Sequence, residues 1–270
     1  MNWELDRQEQ DAPRIEGLEA RLLLSASDPV SALAGVEPAD APTAAVNAQA
    51  ATDGDVDPPT IDAWYSAGQH GSGVGQVLLE IPDDGTFSDP RIHAVVTRLV
   101  IAFCEPVDPD SFTPDSVRIA GNNAADLPVD VSGITITAQT DEGDTVGVVH
   151  FSPPLPDVAR YLVRLEGVTD AAGNALAGDN DRIFTALAGD ANGDFRVNAI
   201  DLSYIWPLRT NEIDGVSPEQ ARADVTGDGR VNAIDLSATW ARRGSDMRDV
   251  SDPELPDLPA GPAVSPPALG

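Results

Sequence analysis

The sequence predicts a multidomain protein in which an all-β sandwich is followed by a small, mainly α-helical module, with disordered linkers and a disordered tail. Short β-rich runs separated by turn-forming clusters fill residues 76–188. A twelve-residue stretch at 190–201 then returns 34 residues later at 224–235. The segments 28–75 and 245–270 hold few large apolar side chains, so burial cannot offset the entropy of ordering them. We therefore interpret the first as a linker and the second as a proline-rich tail.

The composition is strongly acidic. The 270 residues include 45 acidic and 16 basic ones, all arginine, and the formal net charge is −29. Such a chain repels nucleic acid and anionic membranes, and lysine-based Schiff-base chemistry is excluded. No apolar run reaches the roughly 18 residues of a membrane span. Cys104 lies in the apolar run LVIAFC, so we expect a buried, inert thiol.

The β-rich part shows the alternation of half-buried strands. The alternation is clearest where Leu99, Ile101 and Phe103 share one parity and where Tyr161, Val163 and Leu165 share another. With turns about every ten residues and no amphipathic helix between them, the pattern predicts a seven-strand antiparallel sandwich. The glycine-rich GSGVG at 71–75 precedes no helical pattern, so we interpret it as a flexible joint rather than a phosphate-binding turn.

Three stretches of this sandwich carry a family resemblance. They are LVIAFCEPVDPDSFTPDSVRI at 99–119, FSPPLP at 151–156 and YLVRLEGVTDAAGNAL at 161–176. Together they resemble the bacterial Ig-like family of cell-surface and S-layer-associated proteins. The resemblance implies a spacer or adhesion module without catalytic chemistry.

The duplicated stretch has the spacing of a calcium loop. DANGDFRVNAID and DVTGDGRVNAID share nine of twelve positions and place oxygen-bearing side chains at loop positions 1, 3, 5, 9 and 12. Calcium takes about six to eight oxygen ligands, which a loop of this spacing can supply, with position 7 offering its main-chain carbonyl. The sequence therefore predicts two Ca²⁺ sites, with the ligands Asp190, Asn192, Asp194, Arg196, Asn198 and Asp201, and Asp224, Thr226, Asp228, Arg230, Asn232 and Asp235.

The residues around the loops predict how the repeats pack. Only the segment that leaves each loop reads as helical, and a connecting helix is expected to begin at Ser217. Val197 and Val231 occupy loop position 8, where we expect a short strand bridge between the two loops. Trp206 and Trp240 follow at equal offsets, and we expect both in the core.

Two repeats 34 residues apart, each a loop followed by a helix, make residues 189–244 resemble a type I dockerin. In that family the module binds a cohesin module on another protein through residues just past each loop. By position the resemblance assigns this role to Ala199, Ile200, Ala233 and Ile234, for which packing at the helix start is the alternative. Tetratricopeptide repeats share the period without their residue pattern, and calcium-stapled thrombospondin-type repeats lack the helices.

Three residues depart from the dockerin pattern. Phe195 replaces the glycine of loop position 6, where a positive φ makes a large side chain costly, so the first site is expected to be weaker. Thr226 offers a neutral hydroxyl as ligand. Pro207 lacks an N–H and denies the first exiting helix a second turn.

The N-terminal GLEARLLLSAS at 17–27 resembles the LEPR-XLL signature of exported proteins from planctomycete-like bacteria, with Ala20 in place of proline. It implies sorting to the cell envelope or export, and an amphipathic helix is the alternative. The predicted segments are therefore a sorting segment at 1–27, a linker at 28–75, the sandwich at 76–188, the dockerin at 189–244 and the tail at 245–270.

These features predict a non-catalytic envelope or secreted protein that docks to a cohesin-like partner. The alternative is an accessory or catalytic component of polysaccharide degradation, since dockerins often accompany glycoside hydrolases. Against catalysis, His70, His93 and His150 are scattered, and no segment remains for a catalytic domain. A carbohydrate-binding sandwich would need exposed aromatic residues, of which few are available.

Overall fold

The computed structural model describes residues 54–82, 96–141, 143–210, 212–213 and 217–255. The predicted sorting segment, most of the predicted linker and the end of the predicted tail lie outside these ranges. Among the described residues, eight strands form a β domain, and the chain after it is a small helical region. No helix of the described ranges is long and apolar enough to span a membrane.

The β domain consists of two antiparallel sheets. The strands are β1 (Ile61–His70), β2 (Gly75–Ile81), β3 (Val96–Phe103), β4 (Val117–Asn123), β5 (Thr135–Asp141), β6 (Val146–Leu155), β7 (Ala159–Leu165) and β8 (Asp181–Ala186). One sheet has the order β2-β1-β3-β6-β5 and the other the order β4-β7-β8. Strands β2 to β8 fall almost entirely within residues 76–188, so the all-β prediction for this part is confirmed, while β1 is an eighth strand beyond the seven predicted.

The core of the β domain lies between the two sheets. The residues whose alternation marks the sequence are buried there, with Leu99 and Ile101 of β3 facing the same cluster as Tyr161 and Val163 of β7. The rings of Tyr161 and Phe184 lie 5.6 Å apart within it. Burying apolar side chains of this size contributes about 1.5–3 kcal/mol each, which fixes the strand register.

Residues 61–70 form a strand where the sequence suggested a linker. β1 lies inside its sheet and pairs antiparallel with both β2 and β3. Its Trp64 is fully buried in the core. The segment has an unusual number of small and polar residues for a central strand, which explains why its composition looks like that of a linker.

The glycine-rich joint is also structured. Gly71–Val74 form a single helical turn, α1, that reverses the chain from β1 into β2. Its first backbone N–H, from Gly71, donates to the carbonyl of Gly227 at 2.9 Å. The predicted flexible joint is therefore held against the second repeat, because glycine allows the two backbones to come this close.

The helical region contains α2 (Ala199–Ile205), a 3₁₀ turn (Trp206–Leu208), α3 (Pro218–Ala223) and α4 (Ala233–Ala241). Pro207 stands where α2 gives way to the 3₁₀ turn, and α2 has seven residues against nine in α4. Ser217 caps α3 by accepting the N–H of Gln220 at 3.2 Å. The predicted start of the connecting helix agrees with the structure. Seven residues make about two helical turns, so the predicted loss of a second turn in α2 is wrong, although α2 does end just before Pro207.

The helical region and the β domain belong to one compact unit. Val77 and Leu79 of β2 are buried in the same apolar cluster as Ile205, Ala223 and other residues of the helical region. The two parts therefore share a core rather than being joined by a free hinge.

Two further sequence predictions differ from the structure. Val197 and Val231 are both buried but do not pair with each other: Val231 forms a bridge with Thr210, while the N–H of Val197 donates to Ser245 at 2.9 Å. The loops thus find their strand partners outside the repeat. Cys104 is exposed, because it follows the last residue of β3, and its sulfur accepts the N–H of Thr60 at 3.2 Å.

The first residues of the predicted tail are packed. Met247 is fully buried and Val250 nearly so, in a cluster with Leu187 and Val197. Arg160 of β7 donates to the carbonyl of Val250 at 2.6 Å. Residues 245–255 therefore run along the surface of the β domain, held by two apolar anchors and a buried arginine.

Candidate metal centre and docking surface

The first loop is organised around the carboxylate of Asp190. Its Oδ1 accepts the backbone N–H of Gly193 at 2.8 Å, and its Oδ2 accepts that of Phe195 at 2.9 Å. The turn so formed brings loop positions 3 and 5 together, with Asn192 Nδ2 3.3 Å from Asp194 Oδ2. The carboxylate at position 1 thus stabilises the turn that carries the next two predicted ligands.

The second loop repeats this arrangement around Asp224. Its Oδ1 accepts the N–H of Asp228 at 3.1 Å, and its Oδ2 accepts that of Gly229 at 2.8 Å. The same Oδ2 lies 2.8 Å from Nδ1 of His70, at the end of β1. Asp224 is buried, and so is His70.

Each loop ends on a fully buried aspartate. Asp201 accepts the N–H groups of Ala191 at 2.9 Å and Asn198 at 2.7 Å. Asp235 accepts the Thr226 hydroxyl at 2.8 Å and the Asn232 N–H at 2.8 Å. Burial raises the pKa of both carboxyl groups, and the N–H donors oppose the shift. A buried carboxylate that is disfavoured as an anion gains most from a nearby cation.

The carboxylates of the second loop form a compact cluster. Ligand oxygens of Asp224, Asp228 and Asp235 all lie within 4.8 Å of one another. Among the described residues they are the one such trio, so Asp190, Asp194 and Asp201 of the first loop are less closely grouped. Three carboxylates at this range repel one another strongly, and hard oxygen ligands of this kind suit Ca²⁺. The donor set of the second loop therefore fits the predicted ion.

The position-9 asparagines end the loops and begin the helices. Asn198 Oδ1 accepts the N–H of Ile200 at 2.7 Å, and Asn232 Oδ1 accepts that of Ile234 at 2.8 Å. Asp201 and Asp235 complete a reciprocal capping box with these asparagines. The same residues that are predicted to hold an ion therefore also fix the first turn of α2 and α4.

The residues that depart from the pattern are accommodated locally. Phe195 has φ = 61°, the left-handed conformation expected at position 6. Its ring is partly buried, and the guanidinium carbon of Arg160 lies 5.6 Å from the ring centroid. Thr226 directs its hydroxyl to Asp235 and so stays within the acidic cluster. The predicted weakening of the first site stays a prediction.

The four predicted partner-binding residues are all exposed. Ala199 and Ala233 occupy the first position of their helices, and Ile200 and Ile234 follow, each with 58% of its surface accessible. Exposed isoleucines at equal places in two repeats are not needed for helix packing. This exposure weighs against packing at the helix start as their role, and partner binding by these residues stays a prediction.

Trp206 and Trp240 are exposed as well, at 56% and 50%, so their prediction as core residues is wrong. The fully buried positions are Ile205 and Thr239, one residue earlier in each repeat. The buried face of each exiting helix therefore includes Ile205 or Thr239, and both indole side chains lie on the exposed face.

Two arginines for which the sequence predicts no role lie over the exposed indoles. Arg209 lies over the Trp206 ring with its guanidinium carbon 3.5 Å from the centroid, and Arg243 lies over Trp240 at 4.1 Å. Each also donates to the carbonyl of its tryptophan, at 2.8 Å and 3.0 Å. The signal in the sequence is that both pairs recur with the same 34-residue period as the loops.

Two loop–helix repeats with acidic loops and duplicated exposed residues define a paired loop–helix module. The family model of the dockerin type I domain matches residues 188–238, and this segment is thus similar to such a domain. No curated protein matches the chain significantly.

Among solved structures, the N-terminal part of the bacterial S-layer protein SbsC matches with 15% identity and a TM-score of 0.28, covering 47% of this chain and 23% of that one. A structure of the longer S-layer protein rSbsC matches with 14% identity and a TM-score of 0.30, covering 48% of this chain and 14% of that one. The chain thus spans less than a quarter of either structure.

Proposed function

We propose that this protein is a calcium-dependent docking protein, whose C-terminal module binds two Ca²⁺ ions and attaches to a cohesin-like module of another protein. The observation that carries the proposal is the trio of Asp224, Asp228 and Asp235, set within a segment that matches the dockerin model. The carboxylates of Asp190 and Asp224 accept the N–H groups of the same two loop positions, 5 and 6, which supports a second site in the first loop.

The positive charge of the bound ions would offset the repulsion between the carboxylates and so favour the folded conformation of each loop. The residues that would hold them are Asp190, Asn192, Asp194, Arg196, Asn198 and Asp201 in the first loop, and Asp224, Thr226, Asp228, Arg230, Asn232 and Asp235 in the second. Arg196 and Arg230 would contribute main-chain carbonyls. The asparagine caps connect each loop to the helix that presents an exposed isoleucine.

The partner surface consists of Ala199 and Ile200 in one repeat and Ala233 and Ile234 in the other. Ile200 and Ile234 with their neighbouring tryptophans are among the most exposed large apolar side chains of the described residues. Small and branched apolar groups favour a hydrophobic contact with the partner. Because the repeats present equivalent groups, the module can bind in two orientations that differ by a half-turn.

The β domain serves in this proposal as a non-catalytic, Ig-like spacer or adhesion module. An exported protein of the cell envelope or the extracellular space is the setting that suits a docking module of this kind. No observation on the structure favours the polysaccharide-degrading alternative, and a sugar-hydrolysis screen of the full chain would detect it.

Calcium binding is tested by titrating CaCl₂ into the full chain and by hydrogen exchange with and without chelator. A ligand that binds only the folded state stabilises it by about 2.7 kcal/mol at a hundredfold excess over Kd. We expect chelation to increase exchange in residues 189–244 while β3 and β7 remain protected. Absence of binding heat, with unchanged exchange in the loops, would contradict the proposal.

The docking surface is tested with a panel of recombinant cohesin modules and the variants I200D, I234D and I200D/I234D. Each single variant leaves one intact face, so we expect it to lose only a few-fold in affinity. The double variant is expected to lose about 100-fold or more, because a charge is desolvated in either orientation. Asp62→Asn, on β1, serves as a surface control. Equal binding by the double variant and the wild type would show that these residues are not the partner surface.

A further inference from the structure

The turn between β1 and β2 lies directly on the second loop, with backbone against backbone. Three glycines make this possible. A Cβ atom at Gly71 would collide with the carbonyl of Asp228, one at Gly227 would lie 3.0 Å from the carbonyl of Gln69, and one at Gly229 would lie 2.9 Å from the carbonyl of His70. In each of these contacts a glycine of one part therefore lies against a backbone carbonyl of the other part.

A buried side-chain contact crosses the same boundary. Nδ1 of His70 lies 2.8 Å from Oδ2 of Asp224, although the two residues are 154 positions apart in the sequence. A carboxylate only accepts hydrogen bonds, so Nδ1 carries the proton and donates. Both side chains are almost fully removed from solvent, with 2% and 0% of their surfaces accessible.

The histidine adds to the restraints on the first ligand of the second loop. Oδ2 of Asp224 faces two donors, His70 and the N–H of Gly229, while Oδ1 accepts the N–H of Asp228. Donors on both oxygens fix the rotation of the carboxylate about its Cβ–Cγ bond. Asp224 is thereby held in the orientation in which its oxygens lie near those of Asp228 and Asp235.

We propose that His70 is a positioning residue for the second calcium site, so that the β domain completes a site whose ligands all lie in the helical region. This inference rests on the proposed calcium function and concerns only how the second loop achieves its affinity. Partners that orient metal ligands from outside the coordination sphere typically change metal affinity by about 10–100-fold when they are removed. By linkage, calcium in the second loop also orders the β1–β2 turn.

The test measures the affinity of each loop separately in the full chain. Asp194→Ala disables the first loop and leaves the second to be titrated with CaCl₂, and Asp228→Ala does the reverse. Adding His70→Ala is expected to weaken calcium binding about 10-fold or more in the Asp194→Ala chain, as for other orienting partners. In the Asp228→Ala chain it is expected to leave the affinity of the first loop unchanged.

A conservative variant separates positioning from packing. In His70→Asn the side-chain amide can donate from the place of Nδ1, so we expect it to recover most of the affinity that His70→Ala loses. His150→Ala, an exposed histidine on β6 of the same sheet, is the control and should bind calcium as the wild type does. Failure of asparagine to restore binding, in a chain with wild-type circular dichroism, would reduce His70 to a packing residue and overturn the proposal.

A second pair of variants tests the contact without touching the histidine. Gly71→Ala and Gly75→Ala both place a side chain at positive φ, with φ values of 60° and 84°. Only the first meets the second loop, since nothing lies within 4 Å of a Cβ at Gly75. We expect Gly71→Ala alone to weaken the second site, and hydrogen exchange in residues 69–75 of the wild type to slow when calcium is added.

The outcomes distinguish this inference from the function on which it rests. Wild-type chain that takes up no calcium overturns both. Two functional sites in the wild type, with unchanged affinity of the second loop in His70→Ala and Gly71→Ala, overturn the inference and leave the docking function standing.

Discussion

The two repeats share nine of twelve loop residues, yet they meet the β domain in opposite ways at loop position 6. The first loop has Phe195, whose ring packs beneath Arg160 and beside the C-terminal segment. The second has Gly229, whose missing side chain lets the loop approach the carbonyl of His70. Both residues have positive φ, 61° and 85°. The comparison shows that the backbone of the loop is fixed by its own hydrogen bonds, whereas the side chain at position 6 is fixed by what lies outside it.

The exiting helices differ for a local reason. α4 continues for nine residues, while Pro207 ends α2 after seven and converts its last turn to a 3₁₀ turn. The Trp–Arg pair nevertheless recurs at the C-terminal end of both helices with the same contact. The outer surface is therefore conserved between the repeats even where the helix beneath it is not.

Placing phenylalanine at position 6 of the second loop, as in the first, should give the largest loss of stability. In Gly229→Phe the new side chain must enter a space where even a Cβ lies 2.9 Å from the carbonyl of His70. We expect a loss of about 3 kcal/mol in the free energy of unfolding, from overpacking together with backbone strain. Urea denaturation in calcium buffer measures it. A loss no greater than that of the control Gly75→Ala would mean that the two backbones are not in contact.

Substitutions of Phe195 in the first loop should destabilise the protein less, and glycine at this position should be less destabilising than alanine. Phe195→Ala removes the ring but keeps a side chain at positive φ, and we expect a loss of about 2 kcal/mol. Phe195→Gly also removes the ring but relieves the left-handed strain, so its loss should be about 1 kcal/mol smaller.

Calorimetric unfolding of the two variants, side by side in saturating calcium, gives the difference. If alanine proves as stable as glycine at this position, the strain assigned to Phe195 is wrong.

The smallest effect concerns Asp246, which forms ion pairs with Arg196 of the first loop at 3.2 Å and with Arg248 of its own C-terminal segment at 2.7 Å. Hydrogen bonds from Arg248, aided by Arg196, lower the pKa of Asp246 to about 2. A carboxyl whose folded pKa lies below its ordinary value of 3.8 stabilises the protein above that value and loses the contribution as the pH falls toward 2. Asp246→Asn should therefore cost less than about 1 kcal/mol at neutral pH, because the pair is exposed.

The difference between wild type and Asp246→Asn should also shrink as the pH is lowered from 5 to about 2. Denaturant unfolding across this range, with Asp62→Asn as the control, measures it. A difference that grows on acidification would have the wrong sign for this pair.

Local patterns predicted more of this molecule than contacts between distant segments. The loops, their capping residues and the helix starts are encoded within twelve residues, and the shortening at Pro207 follows from one missing N–H. The β-rich runs predicted the two-sheet domain, but the expected half-buried alternation does not hold for β3, where Val100 and Ala102 are buried along with Leu99, Ile101 and Phe103. The assignment of the ions and of the cohesin-like partner stays a prediction.

The features that the sequence did not reveal depend on segments far apart in the chain. β1 looks like a linker because its apolar Trp64 is surrounded by small and polar residues, and only the neighbouring strands β2 and β3 make it a strand. Val197 pairs with Ser245 rather than with Val231 because the C-terminal segment returns to the first loop. The burial of Trp206 and Trp240 was predicted wrongly because helical periodicity shows which residues share a face, and does not show where along the helix that face leaves the core.

The buried positions of Val77 and Leu79 bear on how the docking module could be transplanted to another protein. A fragment cut at the family-model boundary would leave these two side chains behind and expose the apolar cavity wall that they normally cover. A portable version would have to carry the β1–β2 hairpin along or replace both contacts by polar substitutions in the helical region. A fragment bounded by the repeats alone would therefore expose apolar surface and be prone to aggregate.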